Sequence, residues 1–349
     1  MIPLKRFILV IKTMKKTNLK TLAEELNLSI STVSKALGDS YEIGFETKKK
    51  VKELAEKLNY QPNPFASSLR RKNSKTIAVV IPEICNNFFS LAIDGIQSIA
   101  QEKAYDILTY LTHENLINEI STIKHLNNGR VDGVLMSICS EISNHAHLAE
   151  FRDNNIPLVF FDRVDENLDF PTVTTDNYES SYHATQHLID AKCKKIVFLA
   201  TSKHLSIMKK RINGYINALE KTTEKFEPKN IIECSDNNDE NLAIIRKQLE
   251  SEDRPDAIFA SVEKLAIATY HICRELNIKI PEDLKVLSYS NLNTASLLQP
   301  SLTTISQPAF EIGREAASIL IKLIEKKHTD DLTNKVIIKS SLIVRDSSK

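Results

Sequence analysis

Six side chains that can bond or pack against nucleic acid lie within seven consecutive positions: Ser29, Ile30, Ser31, Thr32, Ser34 and Lys35. Hydroxyl and ammonium groups bond phosphate oxygens and base edges, and an aliphatic side chain packs on the methyl group of thymine. The same stretch holds Val33, Ala36 and Leu37 at the spacing of one helix face. A helix that buries this apolar face displays the polar side chains together, which predicts a binding surface.

Enzyme and metal chemistry have less support in the sequence. The chain has no GxGxxG, Walker, GxSxG or HExxH motif. His183 and His187, or His145 and His147, could share a metal ion, but no third ligand is evident, so we interpret them as exposed histidines. The five cysteines are widely spaced without a CxxC pair, which favours core thiols. We therefore expect no enzyme activity, no metal and no cofactor.

Charge is unevenly distributed along the 349 residues. Residues 1–75 hold 16 Lys and Arg against 7 Asp and Glu, while the remainder holds 30 basic against 38 acidic residues. A basic end on an acidic body favours a polyanionic partner at that end, although a solvated basic face would have the same composition. No apolar run approaches the roughly 18 residues of a membrane helix, and no secretory signal is recognisable. We expect a cytoplasmic protein.

The elements that must position the binding surface are three short helices predicted over residues 18–58. Ser29 is placed to cap the second helix, and Asn27 tolerates the left-handed backbone that a tight turn before it requires. Each apolar stripe is too short to be stable alone, so the three must share one small core. The stripes run from Leu19 to Leu26, from Val33 to Leu37 and from Val51 to Leu58.

The segments on either side of these helices are predicted to be irregular. Residues 1–13 are expected to be a disordered extension, and Met14 is a second candidate for the start of translation. Pro62 and Pro64 end the third helix. Residues 64–71 have the composition of one or two helical turns, and a linker follows to residue 75.

From Thr76 onward, apolar strand-like runs alternate with amphipathic helices. Buried runs without strict alternation, separated by helices, are typical of parallel sheets covered on both faces. Because eight strands are too many for a single sheet of this kind, we predict an α/β fold with two lobes. The predicted strands are Ile77–Ile81, Asp106–Tyr110, Gly133–Ser137, Leu158–Phe161, Ile196–Ala200, Ile231–Glu233, Ala257–Ala260 and Val286–Tyr289.

From about residue 17 the chain resembles the LacI/GalR family of bacterial repressors. The matching segments, in order, are LKTLAEELNLSISTVSKALGDS, ETKKKVKELAEKLNYQPNPFASSLRR, TIAVVIPEICNNFF, PLVFFDR, VTTDN, RINGYINAL, IPEDLKVLSY, PSLTTISQP and SLIVRDSSK. The resemblance implies a helix-turn-helix head at 14–60, a hinge helix and linker at 61–75, and a periplasmic-binding-protein-like core at 76–349. The implied N-lobe spans about 76–173 and 305–333, and the C-lobe about 174–304 and 334–349.

The resemblance also assigns roles within the head. In a helix-turn-helix the second helix lies in the major groove, and by position Ile30, Ser31 and Lys35 look like base-reading residues. Lys35 suits guanine O6 and N7, and Ile30 suits a thymine methyl. Thr32 and Ser34, next to the Ser29 cap, would contact phosphate.

The hinge supplies a second set of implied DNA contacts. Leu69 occupies the place where family members insert a leucine into the minor groove and kink the duplex. Arg70 would lie near phosphates. Ser67 stands where a basic residue is usual, which weakens one minor-groove contact and leaves the wedge in place. A buried hinge contact is the alternative role for Leu69.

The family's ligand contacts correspond to Phe88, Phe89, Asp162, Asp176, Arg211 and Ser290. The two phenylalanines suit stacking on a ring, and a carboxylate and a guanidinium suit a polyhydroxyl ligand. The alternative is that Asp162 and Arg211 are a structural pair. Ser290 stands where many relatives have Asp, and Ser261-Val262-Glu263 replaces a usual Ala-Asn-Asp. These departures put the usual sugar contact in doubt.

The resemblance implies a homodimeric regulator, expected to act as a repressor, that binds double-stranded DNA at a pseudo-palindromic operator. A small molecule, expected to be a sugar or a sugar derivative, would control it by changing the angle between the lobes. Either sign of coupling, release or promotion of DNA binding, is compatible with the sequence. The alternative function is a stand-alone sugar-binding protein without DNA function.

Overall fold

The structure, a computed structural model, describes residues 18–60, 74–127, 130–140, 146–221, 230–235, 237–325 and 335–349. The chain divides into two units between Ser74 and Lys75. The extension expected at 1–13 and the hinge residues Leu69 and Arg70 lie outside the described residues, so their predictions stay untested.

Residues 18–60, the described part of the first unit together with Ser74, form the predicted set of three helices around one small core. Leu22, Val33, Ala36 and Val51 are fully buried, and they pack together in this core. Asn27 has a φ of 50°, the left-handed turn expected between the first two helices. The helices are α1 (Leu19–Glu25), α2 (Ile30–Leu37) and α3 (Phe45–Lys57).

The second unit contains two six-stranded sheets among the described residues. The strands are β1 (Thr76–Ile81), β2 (Asp106–Leu111), β3 (Gly133–Met136), β4 (Leu158–Phe161), β5 (Thr172–Thr175), β6 (Ile196–Thr201), β7 (Ile231–Cys234), β8 (Ala257–Ala260), β9 (Lys285–Tyr289), β10 (Thr303–Ser306), β11 (Lys335–Ile338) and β12 (Ser341–Ile343). The N-lobe sheet has the order β11-β5-β4-β3-β1-β2 and the C-lobe sheet the order β12-β10-β9-β8-β6-β7. All pairings are parallel except β10 with β12.

Helices cover both faces of these sheets, as the apolar strand runs predict. Strands β1, β3, β4, β6 and β8 are buried along almost their whole length. The α/β fold and the eight predicted strands are thereby confirmed. The helices are α4 (Asn87–Glu102), α5 (Leu116–Leu126), α6 (Ala149–Asp153), α7 (Asn177–Asp190), α8 (Ser206–Glu220), α9 (Asn238–Leu249), α10 (Glu263–Glu275) and α11 (Ala309–Ile324).

The chain passes between the lobes at three places, and strand pairing moves each of the three predicted lobe boundaries by a few residues. β5 stays in the N-lobe sheet to Thr175, so the first crossing follows that residue and not residue 173. β11 pairs with β5 in the N-lobe sheet from Lys335 to Ile338, so the last crossing follows Ile338 and not residue 333. β10 pairs with β9 in the C-lobe sheet up to Ile305, so the N-lobe resumes after it. These short strands escaped prediction because segments such as TVTT and TTIS lack a long apolar run.

Two minor predictions about side chains were wrong. Cys85 is exposed, whereas the other four cysteines are buried as expected of core thiols. His147 is mostly buried and bonds the buried Glu119 carboxylate at 2.8 Å, and His187 bonds the hydroxyl of Ser348 at 2.8 Å. Sequence spacing does not show burial of a histidine, because the partners come from distant segments.

Candidate functional site

The second helix of the head exposes the side chains that the sequence singles out. Ser29 caps α2: its Oγ accepts a hydrogen bond from the Thr32 backbone N at 3.0 Å. The hydroxyls of Ser29 and Thr32 also lie 2.8 Å apart. Val33 and Ala36 face the core, whereas Ile30, in the first turn of the helix, is 47% exposed at the edge of that face.

The remaining predicted residues of α2 follow the same division of faces. Ser31 and Lys35 are exposed, whereas Thr32 and Ser34 are half-buried. The ammonium of Lys35 forms an ion pair with Glu42, in the turn that follows the helix. Glu42 carries no signal in the sequence analysis, since seven positions separate it from Lys35 and a turn lies between them.

Ser29→Ala is expected to lower the free energy of unfolding of the head by about 1 kcal/mol, because the Thr32 N–H loses its acceptor. Thermal melting of the full chain, followed by circular dichroism, measures the loss. Ser31→Ala is the matched control, since Ser31 is exposed on the same helix. Equal changes in the two variants would contradict the capping role.

The second unit contains a cavity of about 60 Å³ between its two lobes. It lies beyond the carboxyl ends of the parallel strands, the usual place for a ligand in open α/β sheets. Its walls come from both lobes and from the crossover segment: Asn86, Phe88, Phe89, Asp162, Arg163, Ile207, Arg211, Ser261, Val262, Glu263, Tyr289, Ser290, Asn291 and Gln307.

Five of the six predicted ligand residues line this cavity, and Asp176 does not. The Asp176 carboxylate instead accepts a hydrogen bond from the Ser340 backbone N at 2.7 Å. Next to it, the hydroxyls of Thr175 and Ser340 lie 2.7 Å apart. Asp176 therefore ties two of the segments that cross between the lobes.

Arg211 is 3% exposed, and its guanidinium is held by the C-lobe. Nε donates to Asn177 Oδ1 at 2.8 Å and Nη1 to the Ser261 carbonyl at 2.9 Å. The group also stacks on Tyr289, 3.7 Å from the ring centroid. Burial raises the pKa of Tyr289 to about 12, although the Arg211 charge opposes the rise. Two hydrogen bonds and the Tyr289 ring thus hold the guanidinium in place at the cavity wall.

Asp162 is buried at the end of β4 with a φ of 59°, an unusual backbone for a residue with a side chain. Burial raises the pKa of its carboxyl, and the positive charges of Arg163 and Arg211 oppose that rise. Strained backbone of this kind clusters at functional sites. The carboxyl and the Arg211 guanidinium both line the cavity, where they can act as an acceptor and a donor.

Sequence reasoning missed several polar cavity residues, among them Arg163, Glu263 and Gln307. Arg163 donates to Glu114 at 2.6 Å. Glu263 accepts from Asn87 of the N-lobe at 2.9 Å and from Ser290 at 2.8 Å, so it bridges the lobes. The side chain of Gln307 faces the Asp162 carboxyl and opposes the rise in the pKa of that group. Of these three residues, only Glu263 had a signal in the sequence, because it belongs to the segment Ser261-Val262-Glu263 that replaces the family's usual Ala-Asn-Asp.

Other sites find no support in the part of the chain that the structure describes. Those residues contain no group of three or more His, Cys, Asp or Glu side chains that could hold a metal ion. They also include no helix with the length and apolar character to cross a membrane.

Two family models match the chain. Residues 18–63 match bacterial regulatory proteins of the lacI family, and residues 185–348 match the periplasmic binding protein-like domain. The two matched regions contain α2 and the C-lobe wall of the cavity, respectively.

Curated relatives match over nearly their whole length. The ribose operon repressor of Halalkalibacterium halodurans is 30% identical over 335 residues, 95% of this chain and 97% of that protein. The catabolite control protein A of Priestia megaterium is 28% identical over 310 residues, 88% of this chain and 93% of that protein.

A solved structure has the same fold. The lac repressor dimer bound to operator and the anti-inducer ONPF superposes with a TM-score of 0.83 at 19% identity, covering 96% of this chain and 99% of that one.

Proposed function

This chain belongs to the LacI family of bacterial regulatory proteins, and we propose from this premise that it binds a pseudo-palindromic operator as a homodimer under the control of a sugar-like ligand. It is a DNA-binding transcriptional regulator. The observation that best supports the operator proposal is the capped helix α2, which exposes Ile30 in its first turn and Ser31 and Lys35 on the face opposite its buried residues. The proposed activity is binding, without catalysis.

The proposed contacts divide into base readers and positioning groups. Ile30, Ser31 and Lys35 face base edges in the major groove. Ser29, Thr32 and Ser34 lie beside them, where phosphate contacts fix the register of the helix. Leu69 and Arg70 keep their proposed minor-groove and phosphate roles from the resemblance alone. Homodimer formation would place two heads on the two half-sites.

The proposed ligand is a small hydroxylated molecule, a sugar or a sugar derivative. Arg211 and Asp162 would bond hydroxyls by charge-assisted hydrogen bonds, and Phe88 and Phe89 border the same cavity as apolar walls. Ser290 is a weaker candidate, because its hydroxyl already donates to Glu263. The ribose operon repressor among the relatives supports the sugar class.

Ligand control would act through the contacts between the lobes. Asn87 and Glu263 join α4 to α10 across the cavity, and Ser206 Oγ donates to the Val164 carbonyl at 3.0 Å. A ligand that favours one lobe angle shifts these contacts, and it can change DNA affinity only by its differential affinity for the two angles. Such couplings are typically about 1–3 kcal/mol.

Selection from fragmented genomic DNA tests the operator proposal. The full chain is expected to enrich one short pseudo-palindrome at about 0.15 M salt, where phosphate-only binding is weakened. A truncation that lacks residues 1–75 is expected to enrich nothing. Failure of the intact chain to enrich any sequence would reject operator binding and favour a stand-alone ligand-binding protein.

A further inference from the structure

An acidic side chain lies on the face of the head that is proposed to meet DNA. The carboxylate of Glu42 forms an ion pair and hydrogen bond with the ammonium of Lys35. The two side chains are 45% and 46% exposed, so solvent or a partner reaches both. The pair therefore forms one surface feature made by α2 and the turn after it.

The turn that carries Glu42 is held in place on both sides. The Ser40 backbone N donates to the Lys35 carbonyl at 3.0 Å, which ties the turn to α2. On the other side, Lys48 of α3 lies 3.1 Å from the Asp39 carboxylate and also donates to the Asp39 carbonyl. These contacts hold the backbone of the turn, so the fold of the head places Glu42 beside Lys35.

The ion pair between Lys35 and Glu42 contributes little to stability, and its carboxylate lowers the affinity of the head for DNA. An ion pair this exposed contributes little to the free energy of folding. A carboxylate near DNA repels phosphate and lowers the non-specific affinity that basic residues supply. A negative charge at this position is therefore better explained by a contact to a base than by general attraction to DNA.

The hydrogen-bonding groups of the pair match the major-groove edge of one G·C base pair. A lysine ammonium has three donors, and one is used by Glu42. The other two suit N7 and O6 of guanine, and the remaining carboxylate oxygen of Glu42 suits the N4 amino group of cytosine. No other base pair presents two acceptors followed by a donor in that order.

We propose that Lys35 and Glu42 act as a unit that reads one G·C base pair in each half-site, which makes Glu42 a specificity-determining residue. The proposal rests on the proposed operator binding. Glu42 holds the flexible ammonium in one place and accepts from the cytosine, so discrimination depends on both side chains.

Selection from duplexes with a randomised central segment tests this proposal with the full chain. The wild type is expected to enrich a site with a G·C pair at one position of each half. Glu42→Gln and Lys35→Ala are each expected to reduce the preference at that same position by about tenfold. The double variant is expected to lose little more than either single variant, because the two residues act together.

Glu24→Gln is the matched control, since Glu24 forms an exposed ion pair with Lys20 at 3.8 Å on α1. It removes the same charge from the head and is expected to keep the base preference of the wild type. An unchanged preference in Glu42→Gln, or the same change in both Gln variants, would overturn the inference. A wild type that enriches no site would reject operator binding itself.

Discussion

Gly313→Ala is expected to lower the free energy of unfolding of the two-lobed unit, residues 75–349, by about 3 kcal/mol, the upper end of what overpacking costs. A Cβ at Gly313 would lie 2.0 Å from the Ala92 carbonyl oxygen, and a Cβ at Gly95 on the facing helix would lie equally close to the Phe310 carbonyl oxygen. Helices α4 and α11 therefore pack backbone against backbone, and neither can yield by rotating a side chain. Since Phe88 and Phe89 lie in the first turn of α4 and line the cavity, displacement of this helix is expected to weaken ligand binding as well.

Urea unfolding measures this loss, followed by circular dichroism because the chain has no tryptophan. Glu311→Ala is the control, since Glu311 is exposed on the same helix and its loss should change stability by no more than about 0.5 kcal/mol. Equal midpoints for Gly313→Ala and wild type would mean that the two helices can separate without cost, contrary to the close contact in the structure.

Arg211→Ala is expected to abolish the response to ligand and to lower the free energy of unfolding of the two-lobed unit by about 2–3 kcal/mol. The stability loss follows because Asn177 Oδ1 and the Ser261 carbonyl lose a charged donor in a buried setting. The loss of response follows because the guanidinium is the proposed donor to ligand hydroxyls. DNA binding by the head is expected to persist, since the head has its own core.

A panel of monosaccharides and their derivatives, screened by the rise in melting temperature of the wild type, supplies the ligand for this measurement. The response is then the ligand-dependent change in affinity for the selected operator. Arg246→Ala is the control, because Arg246 forms exposed ion pairs with Glu250 and Glu275 away from the cavity lining. An Arg211 variant that still responds at wild-type ligand concentration would remove Arg211 from the binding set.

Much of the structure of the head was predictable because it depends on residues that are close together in the sequence. The apolar stripes of three helices, the Ser29 cap and the left-handed turn at Asn27 are all local patterns, and all three are confirmed. The ion pair between Lys35 and Glu42 was not predicted, because it depends on how the turn after α2 folds back.

In residues 76–349, the sequence by itself determined the alternation of strands and helices and, through family motifs, five residues of the cavity lining. Only the tertiary structure decided which motif residues meet. Asn87 and Glu263, 176 positions apart, join across the cavity, whereas Asp176 turns to Ser340. The physical reason is that periodicity records which face of an element is buried, while contacts between distant residues depend on where the sheets place the ends of their strands.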